Sequence, residues 1–341
     1  MLFIDTANAT NPTPKIGMYE STNPCGESFL LPFEACNLGS LNLTSFLVDE
    51  PGKHRHLNIK LLKETIETSI HFLDNVIDMN KFPIHQIEHA TKDNRKIGLG
   101  IMGWADYLTK MRIPYNSKEA IDFASYLMKN INEVAKEYSF YLSETRGVFP
   151  NFYQSIYKDC TPLRNAIVTT IAPTGSISII AKCSSGIEPL FALAFQRRHD
   201  VFDDKVYTEI NEQLLNDLFE NYGDISNFMI SDIKENGSIQ HIDDMPDAIK
   251  KVYVTAHDIS PEWHIKMQAA FQKHTDNAVS KTINFPSSAT KEDVAKAFML
   301  AYELGCKGIT VYRDGSRDNQ VLKTNCIECD DGICSTGDSN E

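Results

Sequence analysis

The sequence lacks the features of membrane, secreted and nucleic-acid-binding proteins. No run of about 18 apolar residues occurs, so no membrane span is expected. The first fifteen residues, MLFIDTANATNPTPK, contain neither the basic nor the apolar region of a secretory signal. Basic residues are too few for a nucleic-acid-binding surface, since 33 Lys and Arg stand against 46 Asp and Glu and give a net charge of −13. These absences predict a cytoplasmic protein that binds neither membranes nor nucleic acid.

Structural disulfides are also not expected, because the cytoplasm keeps thiols reduced. Cysteines of cytoplasmic proteins are more often catalytic or metal-binding. The eight cysteines are unevenly placed, with Cys25 and Cys36 close together near the start of the chain. Three more lie in the last sixteen residues: Cys326, Cys329 and Cys334. The scattered ones, Cys160, Cys183 and Cys306, are expected to behave as small buried hydrophobes.

The pattern of apolar residues predicts an α/β architecture with parallel strands. Segments with helical periodicity alternate with short, strand-like apolar runs along the chain. Helices are predicted over 57–79, 118–145, 261–274 and 291–304, and strands over 165–171, 278–285 and 308–312. An acidic helical stretch at about 200–247 is predicted to be a surface excursion, and the polar residues 323–341 a mobile tail. Active groups of such folds collect on loops at one end of the strands.

The stretch GLGIMG, from Gly98 to Gly103, matches the G-x-G-x-x-G fingerprint of dinucleotide-binding proteins. Its context argues against nicotinamide binding, since a long helix precedes it and no acidic residue ends a second strand at the right distance. We interpret these glycines as allowing a tight strand-to-helix turn and close packing.

The stretch NPCGE combines a thiol with an amide and a carboxylate. Pro24 and Gly26 should shape a stiff loop that presents Asn23, Cys25 and Glu27 on one side if it is extended. Glu27 is the nearest charge to Cys25 and should raise its pKa, which argues against a thiolate nucleophile. A neutral thiol beside a carboxylate suits hydrogen-atom chemistry, in which the sulfur acts as a radical and the carboxylate takes a substrate hydroxyl proton.

Two further features complete a candidate site. Cys36 could donate electrons and end as a disulfide; a zinc site formed with Cys25 is disfavoured, because no second close pair of ligands is present. The stretch APTGSIS, residues 172–178, resembles a phosphate-binding turn, in which a strand ends and a glycine-containing turn exposes backbone N–H groups. It lacks the lysine of a P-loop, which disfavours an ATPase.

These residues resemble the catalytic subunit of ribonucleotide reductases, most closely the adenosylcobalamin-dependent class. The matching stretches are NPCGESFLLPFEACNLGSLNL, RKIGLGIMGWADYL, APTGSISII, SSGIEPLFALAF, PEWHIKMQAAFQKHTDNAVSKTINFP and GCKGITVYRDGSR. They occur in the order of the family and extend over nearly the whole chain. The resemblance implies that residues 1–322 form the second half of a ten-stranded α/β barrel, with helices outside and a central finger loop, residues 22–36.

The resemblance also implies roles for the candidate residues in reducing ribonucleotides to 2′-deoxyribonucleotides. Cys25 would be the thiyl-radical residue that removes the ribose 3′ hydrogen, Glu27 the base on the 3′ hydroxyl, and Asn23 an amide bonded to the ribose. Cys36 would be one member of the pair that reduces C2′. The substrate phosphates would bind to the phosphate turn, formed by Pro173, Thr174, Gly175, Ser176 and Ile177.

The resemblance further implies adenosylcobalamin as the source of the radical. The tyrosyl-radical class carries two adjacent tyrosines where Val311 precedes Tyr312 here, and no glycyl-radical motif occurs near the C-terminus. The stretch CIECDDGIC, which contains Cys326, Cys329 and Cys334, is either a dithiol shuttle to a thioredoxin-like reductant or half of a zinc ribbon. We favour the shuttle, because three cysteines without a nearby His do not complete a four-ligand zinc site.

The family extends much further at the N-terminus than this sequence does. The first half of the barrel, the partner cysteine of Cys36 and the region that binds specificity nucleotides have no counterpart here. We therefore expect the chain to need a separate N-terminal reductase polypeptide. The alternative is a non-catalytic remnant or binding module with a Cys-rich metal-binding tail. The joint presence of Asn23, Cys25, Glu27, Cys36 and the phosphate turn favours catalysis. The residues do not distinguish diphosphate from triphosphate substrates, and the resemblance to the longer forms of the class implies diphosphates.

Overall fold

The computed structural model describes residues 1–49, 55–198, 206–222 and 227–316. The Cys-rich tail predicted at 323–341, with Cys326, Cys329 and Cys334, lies outside the described residues. In the described parts of the chain, no helix is both long and apolar enough to cross a membrane.

Helices and short strands alternate along most of the chain. The helices are α1 (Ile4–Ala9), α2 (Ile59–Met79), α3 (His85–Asn94), α4 (Trp104–Lys110), α5 (Lys118–Arg146), α6 (Gly175–Ile180), α7 (Glu212–Tyr222), α8 (Asn227–Asn236), α9 (Asp247–Val252), α10 (Pro261–Gln272) and α11 (Lys291–Glu303). The strands are β1 (Asn37–Asn42), β2 (Leu47–Val48), β3 (His56–Leu57), β4 (Ile97–Met102), β5 (Ala194–Arg198), β6 (Val206–Ile210), β7 (Thr282–Phe285) and β8 (Thr310–Arg313).

The strands that carry the candidate site are parallel. β1 pairs with β4, with Asn37 opposite Ile97, and β7 pairs with β8. Single parallel bridges from Leu99 to Thr169 and from Ile171 to Val279 connect the segments between these pairs. The predicted α/β fold with parallel strands is therefore confirmed.

The strand predicted over 165–171 is less regular than expected. The N–H groups of Ile97 and Leu99, two residues apart, donate to the adjacent carbonyls of Ile167 and Val168. This bulge interrupts the ladder and leaves only isolated bridges. The predicted helices are confirmed, with bounds that differ by a few residues at most.

The long helix α2 packs on the pair of strands β1 and β4, and α5 packs on α2. The Asn58 side chain caps α2 by accepting a hydrogen bond from the Leu61 N–H. The Ser117 side chain caps α5 by accepting one from the Ala120 N–H. Their apolar residues recur at helical spacing and pack with β1 and β4 in the largest hydrophobic core. The scaffold beneath the site is consequently rigid.

The helices α7, α8 and α9 contribute to a separate hydrophobic cluster. Leu214, Leu218, Ile233 and Ile249 are buried together there. The stretch predicted as helical also contains a strand, β6, which pairs antiparallel with β5.

The scattered cysteines differ from each other in burial. Cys306 is buried as expected, and Cys183 is partly buried. The prediction for Cys160 is wrong, because this residue is exposed in a polar turn, where its N–H donates to the Tyr157 carbonyl.

The glycines of GLGIMG have two structural roles. Gly98 and Gly100 lie inside β4, and only Gly103, with a φ of +75°, forms the turn into α4. A Cβ on Gly100 would overlap the Thr170 carbonyl oxygen and lie 3.2 Å from the Ile171 Cα. The close approach of two backbone segments explains why residue 100 is a glycine, with no need for a bound nucleotide.

Replacing Gly100 with alanine is therefore expected to lower the free energy of unfolding by about 1–3 kcal/mol, since the added methyl group meets backbone that cannot move aside. Urea unfolding followed by circular dichroism measures the change. Gly175→Ala is the matched control, because a Cβ there meets open space. An equal stability of Gly100→Ala and the parent protein would contradict the packing argument.

Candidate active site

The finger loop begins with a tight turn at residues 22–29. Thr22 and Phe29 form an antiparallel bridge, and Asn23 and Ser28 exchange two hydrogen bonds at 3.1–3.2 Å. Gly26 adopts a φ of +83°, and its N–H donates to the Asn23 carbonyl. The extended loop considered from the sequence is therefore not formed, because the left-handed glycine closes the turn.

Cys25 lies at the tip of this turn and lines a cleft of about 320 Å³. The opposite wall of the cleft is formed by Ser280, Lys281 and residues 308–310. Partial burial raises the pKa of the Cys25 thiol, and the Glu27 carboxylate raises it further. The thiol is consequently neutral at pH 7, and its sulfur is accessible from the cleft.

Glu27, two residues after Cys25, is buried with 2% of its surface exposed, and it does not line the cleft. Its Oε2 atom is buried and has no hydrogen-bond partner among the described residues. The backbone around it is fixed, because the Ala278 N–H donates to the Glu27 carbonyl and the Phe29 N–H donates to Asn277 Oδ1. A buried carboxylate oxygen without a partner is costly to retain and is typical of a functional position.

Cys36 ends the finger loop immediately before β1. Burial is the main cause that raises the pKa of its thiol to about 12. The charge of Lys96 lowers this pKa, and the charges of Glu34 and Glu27 raise it. The Glu27 carboxylate thus acts on both thiols, which brings Cys25, Glu27 and Cys36 into one electrostatic environment.

The phosphate turn follows Ile171, which forms a parallel β-bridge with Val279, and leads into helix α6. Its left-handed residue is Thr174, with a φ of +61°, and not Gly175 as a glycine-based turn would suggest. Thr174 is held in place because its Oγ1 accepts the Gly186 N–H at 2.7 Å. Residues 175–177 are exposed, and the first N–H groups of a helix have no partners within it.

The turn does not line the cleft beside Cys25, but an ion pair between a partly exposed glutamate and a buried lysine connects the two. Glu188 follows Gly186 in the chain and accepts from Lys281 Nζ and from the Thr282 N–H, both at 2.6 Å. The Lys281 side chain is fully buried, although Lys281 is among the residues around the cleft. Burial lowers the pKa of Lys281, whereas Glu188 raises it.

Sequence reasoning missed Glu188 and Lys281. A possible signal was the single lysine within the apolar stretch AVSKTINF, where a charged side chain requires a partner. Among the described residues, no group of three or more His, Cys, Asp and Glu side chains is arranged to hold a metal ion.

Comparisons with known proteins agree with this architecture. The family model described as "Ribonucleotide reductase, barrel domain" matches residues 1–163 and 160–312. The chain is 48% identical to a vitamin B12-dependent ribonucleoside-diphosphate reductase of Thermoplasma acidophilum, over 96% of this chain and 42% of the relative. It is 42% identical to an enzyme of the same name from Mycobacterium tuberculosis, over 95% of this chain and 46% of the relative.

A solved structure shares the fold. The class Id ribonucleotide reductase alpha subunit of Actinobacillus ureae aligns with a TM-score of 0.76 and 26% identity, over 92% of this chain and 57% of that subunit. The chain therefore spans less than half the length of the two curated relatives above. The predicted partial barrel and the resemblance drawn from the sequence are both confirmed. The chain belongs to the ribonucleotide reductase barrel-domain family.

Proposed function

We propose that this chain supplies the radical and redox groups for reducing ribonucleotides to 2′-deoxyribonucleotides. One observation carries the proposal: a neutral, accessible Cys25 thiol is acted on by the charge of Glu27, two residues further along, whose buried Oε2 atom has no partner among the described residues. Such a pair can remove a hydrogen atom and a proton from neighbouring positions of one sugar. The names of the relatives support the same reaction.

In the proposed reaction, Cys25 in its thiyl form takes the ribose 3′ hydrogen atom, while Glu27 accepts the proton of the 3′ hydroxyl. Asn23 orients the ribose through its Nδ2 group, because its Oδ1 is already bonded to the Ser28 N–H.

Cys36 and a partner cysteine supply the electrons for reduction at C2′. The two thiols lose two electrons and two protons and become a disulfide; the C2′ hydroxyl leaves as water and is replaced by hydrogen. A dithiol of Cys326 with Cys329 or Cys334 would then reduce this disulfide and be regenerated by a thioredoxin-like reductant. Such chemistry requires a reducing compartment, which supports the cytoplasm as the location.

The substrate phosphates would bind at the phosphate turn, residues 173–177. Thr174 directs the start of α6 outward, and exposed N–H groups at a helix start suit an anion. The relatives' names favour ribonucleoside diphosphates over triphosphates.

We infer from the same names that adenosylcobalamin is the cofactor. The accessible Cys25 sulfur at the cleft fits a radical source that approaches from outside the finger loop. When bound, the cofactor supplies a carbon-centred radical by homolysis of its cobalt–carbon bond. The residues of this chain then have to hold the thiol neutral and keep the ribose in place.

A complementary segment, equivalent to the preceding part of the relatives, would complete the barrel. In the described residues, β1 pairs on one edge only, with β4, and leaves Leu38 40% exposed. Open strand edges favour pairing with another strand. The segment would also provide the partner cysteine of Cys36.

Reconstitution tests the proposed function. The chain is mixed with the N-terminal segment of a relative, adenosylcobalamin, a ribonucleoside diphosphate and dithiothreitol, and products are quantified by liquid chromatography. We expect deoxyribonucleotide from the mixture and none from either polypeptide alone. Turnover by this chain alone would refute the need for a second segment. A correctly assembled complex without turnover would refute the catalytic role.

A further inference from the structure

Cys36 and Lys96 lie side by side at the start of two paired strands. Asn37 is opposite Ile97 in the parallel ladder of β1 and β4, so the preceding residues are also neighbours across strands spaced about 4.8 Å apart. Asn37 Nδ2 donates to the Leu73 carbonyl on α2. Because side chains alternate along a strand, Cys36 and Lys96 face away from α2, towards the interior behind the finger loop.

The Lys96 ammonium is fixed in that interior. Its side chain is 1% exposed, and its Nζ lies 2.5 Å from Glu34 Oε2, 3.3 Å from the Tyr19 hydroxyl and 4.8 Å from the Tyr19 ring centroid. Glu34 is fixed in turn by the Leu31 N–H and by Asn94 Nδ2. These contacts use two of the three ammonium N–H groups and hold the charge next to Cys36.

Stability alone is a weak reason for such a pair. A buried Lys–Glu pair loses hydration that its mutual attraction only partly restores, and apolar residues of similar volume often stabilise a protein as well or better. The groups around the Cys36 sulfur indicate another role. The carboxylates of Glu34 and Glu27 disfavour a thiolate there, and the Lys96 ammonium opposes them. Tyr19, the remaining titratable neighbour, is itself buried, and its pKa is raised by burial and by Glu34.

We propose that Lys96 is a positioning residue for the redox chemistry of Cys36: its buried ammonium, held by Glu34, stabilises the Cys36 thiolate. This inference rests on the proposed function, in which Cys36 cycles between thiol and disulfide.

The thiolate forms when that disulfide is reduced. A thiolate of a dithiol reductant attacks the sulfur bonded to Cys36, a mixed disulfide forms, and the electron pair of the broken S–S bond remains on the Cys36 sulfur. The second thiol of the reductant then resolves the mixed disulfide, and Cys36 takes a proton from solvent. A leaving thiolate departs faster when a nearby cation lowers its basicity. Lys96 acts at this step.

Alkylation kinetics test the proposal without turnover. Burial lowers the pKa of Lys96, whereas Glu34 raises it, so the full chain reacts with iodoacetamide near pH 7, where more of the ammonium is retained than at higher pH. Mass spectrometry follows the peptides of Cys36 and Cys25. In Lys96→Met, Cys36 should react about tenfold more slowly at a given pH, as one unit of pKa implies. Cys25 is the internal control and should change less than twofold, since Glu27 is the charged group that acts on it.

A second variant keeps the test decisive if Lys96→Met does not fold. Glu34→Gln combined with Lys96→Met leaves neither member of the ion pair charged without its partner. Cys36 should still react more slowly than in the parent protein, but by less than tenfold, because Lys96 acts on the sulfur more strongly than Glu34 opposes it. Slower alkylation of Cys36 alone supports the proposal. Unchanged or faster alkylation of Cys36, or an equal change at both cysteines, overturns it. Failure of ribonucleotide reduction would leave this result unaffected.

Discussion

Cys25→Ser is expected to abolish deoxyribonucleotide formation in the reconstituted enzyme, with a loss of roughly three orders of magnitude or more, as for other covalent catalytic groups. The reason is chemical, because an O–H bond is too strong for the hydroxyl to replace the thiol in hydrogen-atom transfer. The fold should not change, since Cys25 is exposed at the tip of a turn whose hydrogen bonds involve Asn23, Gly26 and Ser28. Product analysis and thermal unfolding of the same preparation measure both effects.

Cys160→Ser is the matched control for this experiment. Cys160 is also an exposed free cysteine, but it lies in a turn after Tyr157 and does not line the cleft beside Cys25. Its replacement should leave turnover within about twofold of the parent. Residual turnover of Cys25→Ser at the level of Cys160→Ser would show that the radical resides elsewhere.

The elements of this fold that follow from local patterns were predictable from the sequence. Helices α2 and α5 have caps at Asn58 and Ser117 and apolar residues at regular helical spacing, so chain-local information defines them. The motif NPCGE likewise carries the candidate residues within five positions. The order of the family's motifs then predicts the parallel partial barrel.

Features that depend on long-range contacts could not be predicted in this way. Lys96 and Lys281 look like surface residues in the sequence, since lysine is rarely buried, and only the fold brings them to Glu34 and Glu188. The left-handed conformation at Thr174 depends on its hydrogen bond with Gly186, and a sequence argument assigns such a conformation to the neighbouring glycine. Charges buried by tertiary contacts are therefore the part of the site that sequence reasoning misses.

Glu27→Gln is expected to lower turnover by roughly 10²- to 10⁴-fold, the usual contribution of a general base. The glutamine keeps the size of the side chain but cannot accept the proton of the 3′ hydroxyl. The free energy of unfolding should stay within about 1 kcal/mol of the parent or rise, because a buried charge without a partner is removed. Product analysis and urea unfolding separate these two effects. Glu20→Gln, at an exposed position, is the control and should change neither.

Glu27→Gln should also change the alkylation rates of both thiols, in a direction that distinguishes a lost charge from lost packing. The Glu27 carboxylate raises the pKa of Cys25 and of Cys36, so its removal lowers both values. At a fixed pH below these values, more thiolate is present and both cysteines should react faster with iodoacetamide in Glu27→Gln. In Lys96→Met, by contrast, only Cys36 should change, and it should react more slowly. Opposite changes in the two variants would require two charges of opposite sign that act on the same sulfur; changes of the same sign would mean that the finger loop is merely loosened.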